Sequence, residues 1–311
     1  MTSAARIVSL LPSATEIVCA LGLEDALVGR SHECDWPPSV RRLPVCTSAS
    51  VDSSQSSAAI DEQVRSLLEK TLSLYSVDTG ELAALRPDLI VTQAQCEVCA
   101  VSLCDVERAV ADSLGSEVRI VSLDGADFGG VLDDIVRVGD ATGAGERSRQ
   151  FVLRLRSRMA DIRRRGAARA RRGRVAAIEW TQPLMMAGNW VPELIETAGG
   201  ESVLASAGRH SPWATWNELA AADPDVIVAM PCGFGIERTR AELAVVAQSR
   251  QWQELRAVSE GAVFVTDANH FFSRPGPRLV ESCEIVAEVL DEVSGVATVD
   301  VRHCGTGWQR F

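Results

Sequence analysis

The side chains of this sequence best suited to hold a metal ion are four cysteines and a histidine. Cys96 and Cys99 form a Cys-x-x-Cys pair with Cys104 five residues later, and His32 lies two residues before Cys34. Thiolates from one turn, joined by a cysteine or histidine from another, can complete a tetrahedral zinc site or bind iron. The spacing therefore predicts a zinc or iron cluster of Cys34, Cys96 and Cys99, with His32 or Cys104 as the fourth group. A redox pair and ordinary buried thiols remain open alternatives.

A repeated pattern indicates the elements that position these segments. The stretch 78–91 reads DTGELAALRPDLIV and returns at 215–228 as TWNELAAADPDVIV, with every matched pair 137 positions apart. Each copy is typical of a short capped helix, a Pro-Asp turn and a buried β-branched strand. The cysteine pair follows the strand of the first copy. Two similar lobes with a cleft between them are expected from such duplication.

Further apolar strands alternate with helices in both halves. Strands are predicted at 6–11 and 118–123 in the first half and at 174–179 and 262–267 in the second, with helices at 13–21 and 192–198. Continuous apolar strands separated by helices are typical of parallel sheets covered on both faces. The predicted fold class is α/β, with parallel-rich sheets in two lobes.

A long helical connector is predicted between the lobes. Residues 128–165 carry apolar side chains at helical spacing, and Gly143 and Gly145 indicate a break into two helices. A helix of about 20 residues is about 30 Å long, enough to join two lobes and to resist wide hinge opening. The predicted division is an N-terminal lobe at 1–126, a connector at 127–172 and a C-terminal lobe at 173–311.

Composition places the chain among globular proteins. It has 311 residues, 46% hydrophobic, and a formal net charge of −11, which argues against nucleic acid as a partner. The arginine-rich stretch 154–174 is interpreted as a solvated helix face. No targeting segment and no apolar run of membrane-spanning length is visible, so we expect a cytoplasmic protein that does not span a membrane. An odd number of cysteines, nine, then indicates reduced thiols rather than a disulfide framework.

Five motifs carry a family resemblance. They are RIVSLLPSATE at 6–16, SHECDWPP at 31–38, the two Pro-Asp strands, HSPW at 210–213 and DANHFFSRPGPR at 267–278. In this order they resemble the vitamin B12-binding proteins of ABC importers. Those proteins belong to the helical-backbone metal-chelate receptors, which bind cobalamin, haem or ferric siderophores. The resemblance covers residues 6–290.

The resemblance implies two lobes joined by a rigid helix, with the ligand held in the cleft by loops at strand ends. A corrin ring offers a broad apolar face rimmed by amides, and aromatic walls with few polar groups suit it. The ligand-binding residues it implies are Trp36, Trp213, His270, Phe271, Phe272 and Arg274. The alternative for the aromatic residues is a place in the core.

The same resemblance implies that Glu81 and Glu218 dock onto arginines of an ABC permease. Both glutamates also fit capping boxes, Asp78-x-x-Glu81 and Thr215-x-x-Glu218, in which the carboxylate accepts a backbone N–H at a helix start. One sequence does not separate the two roles. Ser13-x-x-Glu16 matches the same pattern, and there we predict only the structural role.

An enzymatic function has less support. The sequence contains neither a Gly-x-Ser-x-Gly elbow nor a phosphate-binding glycine loop. We therefore predict a protein that binds cobalamin or a related corrinoid, as the substrate-binding protein of an ABC transporter or as a cytoplasmic corrinoid carrier. Haem or a ferric siderophore is the alternative ligand. The alternative function is a metal-dependent or redox enzyme that reuses the cleft, and metal bound at Cys96 and Cys99 together with substrate turnover would favour it.

Overall fold

A computed structural model describes residues 6–70, 74–94, 103–113, 118–295 and 301–311. The chain forms two compact units. The first comprises Met1–Gln55, Ala59–Gly125 and Gly129–Arg154, and the second comprises Ser56–Ala58, Ala126–Phe128 and Leu155–Phe311. The predicted boundaries of lobes and connector at 126 and 172 stay predictions.

The first unit is built on a parallel sheet. Its elements are β1 (Ile7–Ser9), α1 (Pro12–Ala20), β2 (Leu27–Arg30), β3 (Thr47–Ala49), α2 (Ser57–Glu69, which starts in the second unit), β4 (Tyr75–Val77), α3 (Thr79–Leu85), β5 (Leu89–Gln93), α4 (Leu103–Ser113), β6 (Arg119–Leu123) and α5 (Phe128–Ala141). The strand order is β2-β1-β5-β6, with every neighbouring pair parallel, and β3 and β4 form a separate antiparallel pair.

The centre of this sheet is buried on both faces. All three residues of β1 and all five residues of β5 are buried, as expected for central parallel strands that are covered by helices. Val8 and Ile90 pack with Leu82 of α3 and Val106 of α4 in one apolar cluster. The carboxyl ends of β1, β2, β5 and β6 lie at one edge of the sheet, where loops leave toward solvent.

The second unit contains a six-stranded mixed sheet. The part of helix α6 (Gly145–Ala167) from Leu155 onward belongs to the second unit. The further elements of this unit are β7 (Arg174–Thr181), β8 (Leu184–Met186), α7 (Val191–Thr197), β9 (Glu201–Ser202), α8 (Trp216–Ala222), β10 (Val226–Ala229), α9 (Ile236–Val246), α10 (Arg250–Gln253), α11 (Arg256–Ser259), β11 (Val263–Thr266), α12 (Ala268–Phe271), α13 (Leu279–Ser294) and β12 (Trp308–Arg310). The order is β12-β11-β10-β7-β8, and β9 also pairs with β7. Strands β7, β9, β10 and β11 are parallel, whereas β8 and β12 are antiparallel to their neighbours.

Strand β12 closes one side of this sheet. It pairs with the outer edge of β11, with Phe264 opposite Arg310 and Thr266 opposite Trp308. The Trp308 ring is buried against Phe264 at a centroid distance of 5.6 Å, and its indole N–H donates to Glu288 at 2.7 Å. A buried indole N–H with a carboxylate partner fixes this strand in the core.

The predicted break in the connector is confirmed. Helix α5 ends at Ala141 and α6 begins at Gly145, and Gly143 between them has a φ of 75°, which glycine adopts without steric strain. Across the described ranges of the chain, no helix combines the length and the apolar character needed to cross a membrane.

The capping predictions have three different outcomes. Helix α8 has the full capping box, because Thr215 accepts from the Glu218 amide and Glu218 accepts from the Thr215 amide. In α3 the Asp78 side chain accepts the Glu81 amide at 2.9 Å, which is half of the box. The box predicted at Ser13 is wrong: Pro12 starts α1, so Leu11 is the N-cap and Ser13 lies within the first turn.

Candidate ligand-binding loops

In the first unit, the loop that carries Trp36 leaves the carboxyl end of β2. The Arg30 guanidinium, at the end of that strand, donates to the carbonyl oxygens of Ser31 and Cys34 at 3.0 Å each and to that of Arg41 at 3.2 Å. One half-buried cation thus fixes the path of the loop backbone. The Trp36 side chain stays 44% exposed. An exposed indole on an ordered loop is available to a ligand.

His32 and Cys34 have partners inside the first unit. The His32 Nδ1 atom lies 2.8 Å from the Thr47 hydroxyl, and the imidazole packs against Tyr75 at 5.8 Å. Burial, followed by the positive charge of Arg30, lowers the pKa of His32. Cys34 is fully buried, and its thiol accepts a hydrogen bond from the Thr15 hydroxyl at 3.0 Å.

The described part of the chain gives the predicted zinc or iron site no support. No group of three or more His, Cys, Asp or Glu side chains there could hold a metal ion. Cys104 is exposed near the start of α4. Cys96 and Cys99 lie outside the described residues, so their part in the predicted cluster stays a prediction.

In the second unit, loops after β10 and β11 are joined to one another. The Gly233 amide donates to the Ser273 hydroxyl at 3.0 Å, and the Asn269 amide donates to the Phe234 carbonyl at 3.1 Å. The Phe234 ring packs edge-on against Trp180 at 5.4 Å, and the Arg238 guanidinium lies 3.5 Å above it. The parallel strands therefore end at a packed pair of aromatic rings, of which Phe234 is buried and Trp180 is half-buried, with a cation beside Phe234.

Sequence reasoning missed Trp180, Phe234 and Arg238. The signal that could have found them was Gly-Phe-Gly at 233–235, directly after the strand of the second repeat. Loops at the carboxyl ends of parallel strands are the usual place for ligand contacts.

The predicted ligand residues after β11 differ in exposure. Asp267 caps α12 by accepting the His270 amide at 3.0 Å, and its second oxygen lies 2.7 Å from His270 Nδ1. Phe271 is half-buried, with its ring 5.9 Å from His303, whereas Phe272 is buried and its carbonyl accepts the Trp190 indole N–H. Arg274 is buried and donates to the Asn269 amide oxygen at 3.1 Å. Of the two phenylalanines, Phe271 has the exposed ring surface.

Trp213 lies beside the carboxyl end of β7. It forms a β-bridge with Met185, and Met185 is in register with Trp180, the penultimate residue of β7. The Trp213 side chain is 61% exposed, the largest exposure among the exposed large apolar residues after Leu153. The β-bridge fixes its backbone while the indole remains open to solvent.

A buried polar cluster also occupies the end of β7. The Glu242 carboxylate of α9 accepts from the Thr181 hydroxyl at 3.1 Å and from the Ser57 amide at 3.2 Å, and the Ser57 hydroxyl contacts it as well. The Trp180 indole N–H donates to the Ser57 carbonyl at 3.2 Å. These hydrogen bonds hold the segment Ser56–Ala58 on the second unit. Trp180 and Glu242 are 123 and 185 residues from Ser57, which explains why no local pattern indicated these contacts.

The two candidate docking glutamates differ in their contacts. Glu218 is exposed, and its carboxylate accepts from both the amide and the hydroxyl of Thr215 at 2.8 Å. The hydrogen bonds from the Thr215 hydroxyl and amide lower the pKa of Glu218. Glu81 is half-buried, and no hydrogen bond to its carboxylate is present among the described residues.

Two units, each with a sheet of parallel strands and an exposed tryptophan on a loop, define a two-unit α/β protein. The model of the periplasmic binding protein family matches residues 7–270, and the chain therefore belongs to that family. Its members bind solutes, which confirms the prediction of a binding protein over an enzyme.

Two curated relatives span most of the chain. An uncharacterized ABC transporter substrate-binding lipoprotein of Bacillus subtilis, YvrC, is 25% identical over 92% of this chain and 79% of its own length. The vitamin B12-binding protein of Vibrio cholerae is 24% identical over 92% of this chain and 89% of its own length. Both support the family resemblance in the motifs, and the chain is a substrate-binding protein of the ABC importer type.

Solved structures share the fold. The periplasmic vitamin B12-binding protein BtuF of Vibrio cholerae superimposes with a TM-score of 0.64 at 23% identity, covering 94% of this chain and 98% of that one. The periplasmic haem-binding protein RhuT of Roseiflexus sp. RS-1 superimposes with a TM-score of 0.69 at 17% identity, covering 94% and 100%. The predicted α/β fold of this superfamily is confirmed.

Proposed function

We propose that this protein binds cobalamin or a related corrinoid and presents it to an ABC importer. The similarity to the Vibrio cholerae vitamin B12-binding protein over 92% of the chain supports this ligand class. So do the aromatic loops at the carboxyl ends of the parallel strands. Haem and ferric siderophores are the competing ligands that the test must separate.

The observation that carries the proposal is the exposure of two tryptophans on ordered loops. Trp36 and Trp213 are 44% and 61% exposed, although indole rings bury large apolar surfaces when a protein allows it. The exposed apolar surface of these two rings is surface that a corrin face would cover. His270, Phe271 and Arg274 lie on the loop after β11 and are proposed to contact the same ligand; buried Phe272 would support that loop.

Titration calorimetry tests the ligand class. We expect one equivalent of cyanocobalamin or hydroxocobalamin to bind per chain, and Trp36→Ala and Trp213→Ala each to weaken binding by about 1 to 3 kcal/mol, because each removes a desolvated aromatic contact. Leu153→Ala, which removes an exposed apolar side chain of α6, is the control and should bind like the wild type. Tight binding of hemin or a ferric siderophore, with neither cobalamin bound, would overturn the proposal.

We also propose that Glu81 and Glu218 contact arginines of the permease. The family resemblance at the two repeated motifs and the solvent exposure of Glu218 support this role. The double variant Glu81→Gln and Glu218→Gln should bind cobalamin normally but fail to stimulate ATP hydrolysis by its reconstituted importer. Unchanged stimulation would leave both residues with structural roles alone. The cytoplasmic location stays a prediction.

A further inference from the structure

The loop that carries Trp213 runs along a neighbouring stretch of backbone. Within this Trp213 loop, residues 208–213, the Gly208 amide donates to the Asn189 carbonyl at 2.9 Å, and the Pro212 carbonyl accepts from the Met186 amide at 2.9 Å. A Cβ atom at Gly188 would lie 2.5 Å from the Arg209 carbonyl oxygen and 2.6 Å from the Ser211 nitrogen. The two backbones therefore touch, and only glycine fits at position 188.

One carboxylate lies at the centre of this contact. Glu179 of β7 accepts from the buried Ser211 hydroxyl at 2.6 Å, and the Gly188 amide donates to the same hydroxyl at 3.1 Å. The Gly188 amide also hydrogen-bonds the Glu179 carboxylate. A carboxylate, a hydroxyl and an amide thus join β7, the segment after β8 and the Trp213 loop.

Glu179 is half-buried, and the loss of hydration around its carboxylate is costly for the free protein. Loss of hydration raises the pKa of Glu179, while the hydrogen bonds from Ser211 and Gly188 and the charge of His210 offset the effect only partly. An apolar residue would pack at the end of an apolar strand without that cost. A carboxylate kept at this position therefore calls for a functional explanation.

We propose that Glu179 is a positioning residue for ligand binding, which holds the Trp213 loop through Ser211 so that the indole is pre-oriented for the ligand. This inference rests on the proposed function, because it assigns Trp213 a ligand contact. An exposed side chain on a loose loop loses conformational freedom when it binds, and a loop fixed beforehand avoids that loss.

A thermodynamic cycle with cyanocobalamin as the probe tests the inference. Glu179→Gln and Ser211→Ala should each weaken binding about three- to tenfold, as expected for the loss of one charge-assisted hydrogen bond. Ser211→Thr keeps the hydroxyl and should restore affinity to within about twofold. Glu201→Gln, on exposed β9, is the matched control and should bind like the wild type.

The decisive variant combines Glu179→Gln with Trp213→Ala. If Glu179 acts through Trp213, the double variant binds no more weakly than Trp213→Ala alone, within about twofold. Additive losses, or wild-type affinity of Glu179→Gln, would overturn the inference.

A second measurement requires no ligand. In ¹⁵N spectra the Trp213 indole signal, assigned by its loss in Trp213→Ala, should report greater motion in Glu179→Gln and Ser211→Ala than in the wild type. An unchanged indole signal would refute the positioning role even where affinity falls. Failure of the wild type to bind cobalamin would count against the proposed function, while the indole measurement would still decide the inference.

Discussion

The two copies of the repeat use the same backbone contacts. In the first unit Asp88 accepts the Arg6 amide at 2.8 Å, and in the second Asp225 accepts the Arg174 amide at 2.9 Å. Each aspartate follows a helix that ends in a left-handed residue, Arg86 or Asp223, with φ of 44° and 41°. The Pro-Asp motif therefore encodes one turn, in which the aspartate fixes the start of the neighbouring strand.

The surroundings of the two aspartates differ. Asp88 is exposed, whereas Asp225 is 8% exposed and also pairs with Arg171 at 3.1 Å and with Arg256 at 2.9 Å. Burial strengthens a charge interaction and raises the cost of removing one partner. A repeated motif can thus keep its geometry while its contribution to stability changes with its surroundings.

The largest predicted effect is the difference in stability lost when each of these two aspartates is replaced. Asp225→Ala leaves the Arg174 amide without its acceptor and removes one carboxylate partner from Arg171 and from Arg256, which keeps its contact with Asp223. We expect it to lower the free energy of unfolding by about 2 to 3 kcal/mol. Asp88→Ala removes one exposed contact and should cost about 1 kcal/mol or less. Hydrogen exchange of amides in β1 and β7 would measure each unit separately. Equal losses would mean that burial does not distinguish the copies.

Acidification should remove part of the contribution that Asp225 makes to the free energy of unfolding. Burial raises the pKa of this carboxyl, but the hydrogen bonds from Arg174 and Arg256 and the charges of Arg171 and Arg256 outweigh it, so the pKa is lowered overall. A lowered pKa contributes stability above the unfolded-state value, near 3.9, and that contribution is lost as the pH falls through the folded-state value. Urea titrations should give a constant gap between the wild type and Asp225→Ala from pH 7 to about 5, and a smaller gap below about pH 4. A gap that widens in acid would contradict this assignment.

The smallest predicted effects concern the helix caps. Thr215→Ala and Asp78→Ala should each cost about 1 kcal/mol, because each removes a side-chain acceptor for an N3 amide. Glu218→Gln should destabilise α8, since its carboxylate accepts two hydrogen bonds from Thr215, whereas Glu81→Gln should leave α3 unchanged. Thermal unfolding followed by circular dichroism would compare the stability of Thr215→Ala with that of Asp78→Ala, and of Glu218→Gln with that of Glu81→Gln. A matching loss in Glu81→Gln would mean that α3 forms the full box in solution.

Local chemistry explains what could be predicted from the sequence. The helix, turn and strand within each copy of the repeat, the caps at Asp78 and Thr215 and the break near Gly143 each depend on residues close together in the sequence, and all are present. The box at Ser13 failed because proline at position 12 fits the first helical position better than serine fits the cap.

Contacts distant in sequence account for what could not be predicted. Glu179 and Ser211 are 32 residues apart, and Ser57 and Glu242 are 185 apart, so no periodic pattern links them. Which of Phe271 and Phe272 faces outward depends on packing against α13 and Trp190 rather than on their order in the motif.

The antiparallel strand β12 has a practical consequence for work on this protein. It is the only described strand that covers the outer edge of β11, and it brings Trp308 and its bond to Glu288 into the core. A version truncated before residue 308 would leave a row of unpaired N–H and C=O groups along β11, an open template for pairing with other chains. We expect such a version to aggregate during refolding.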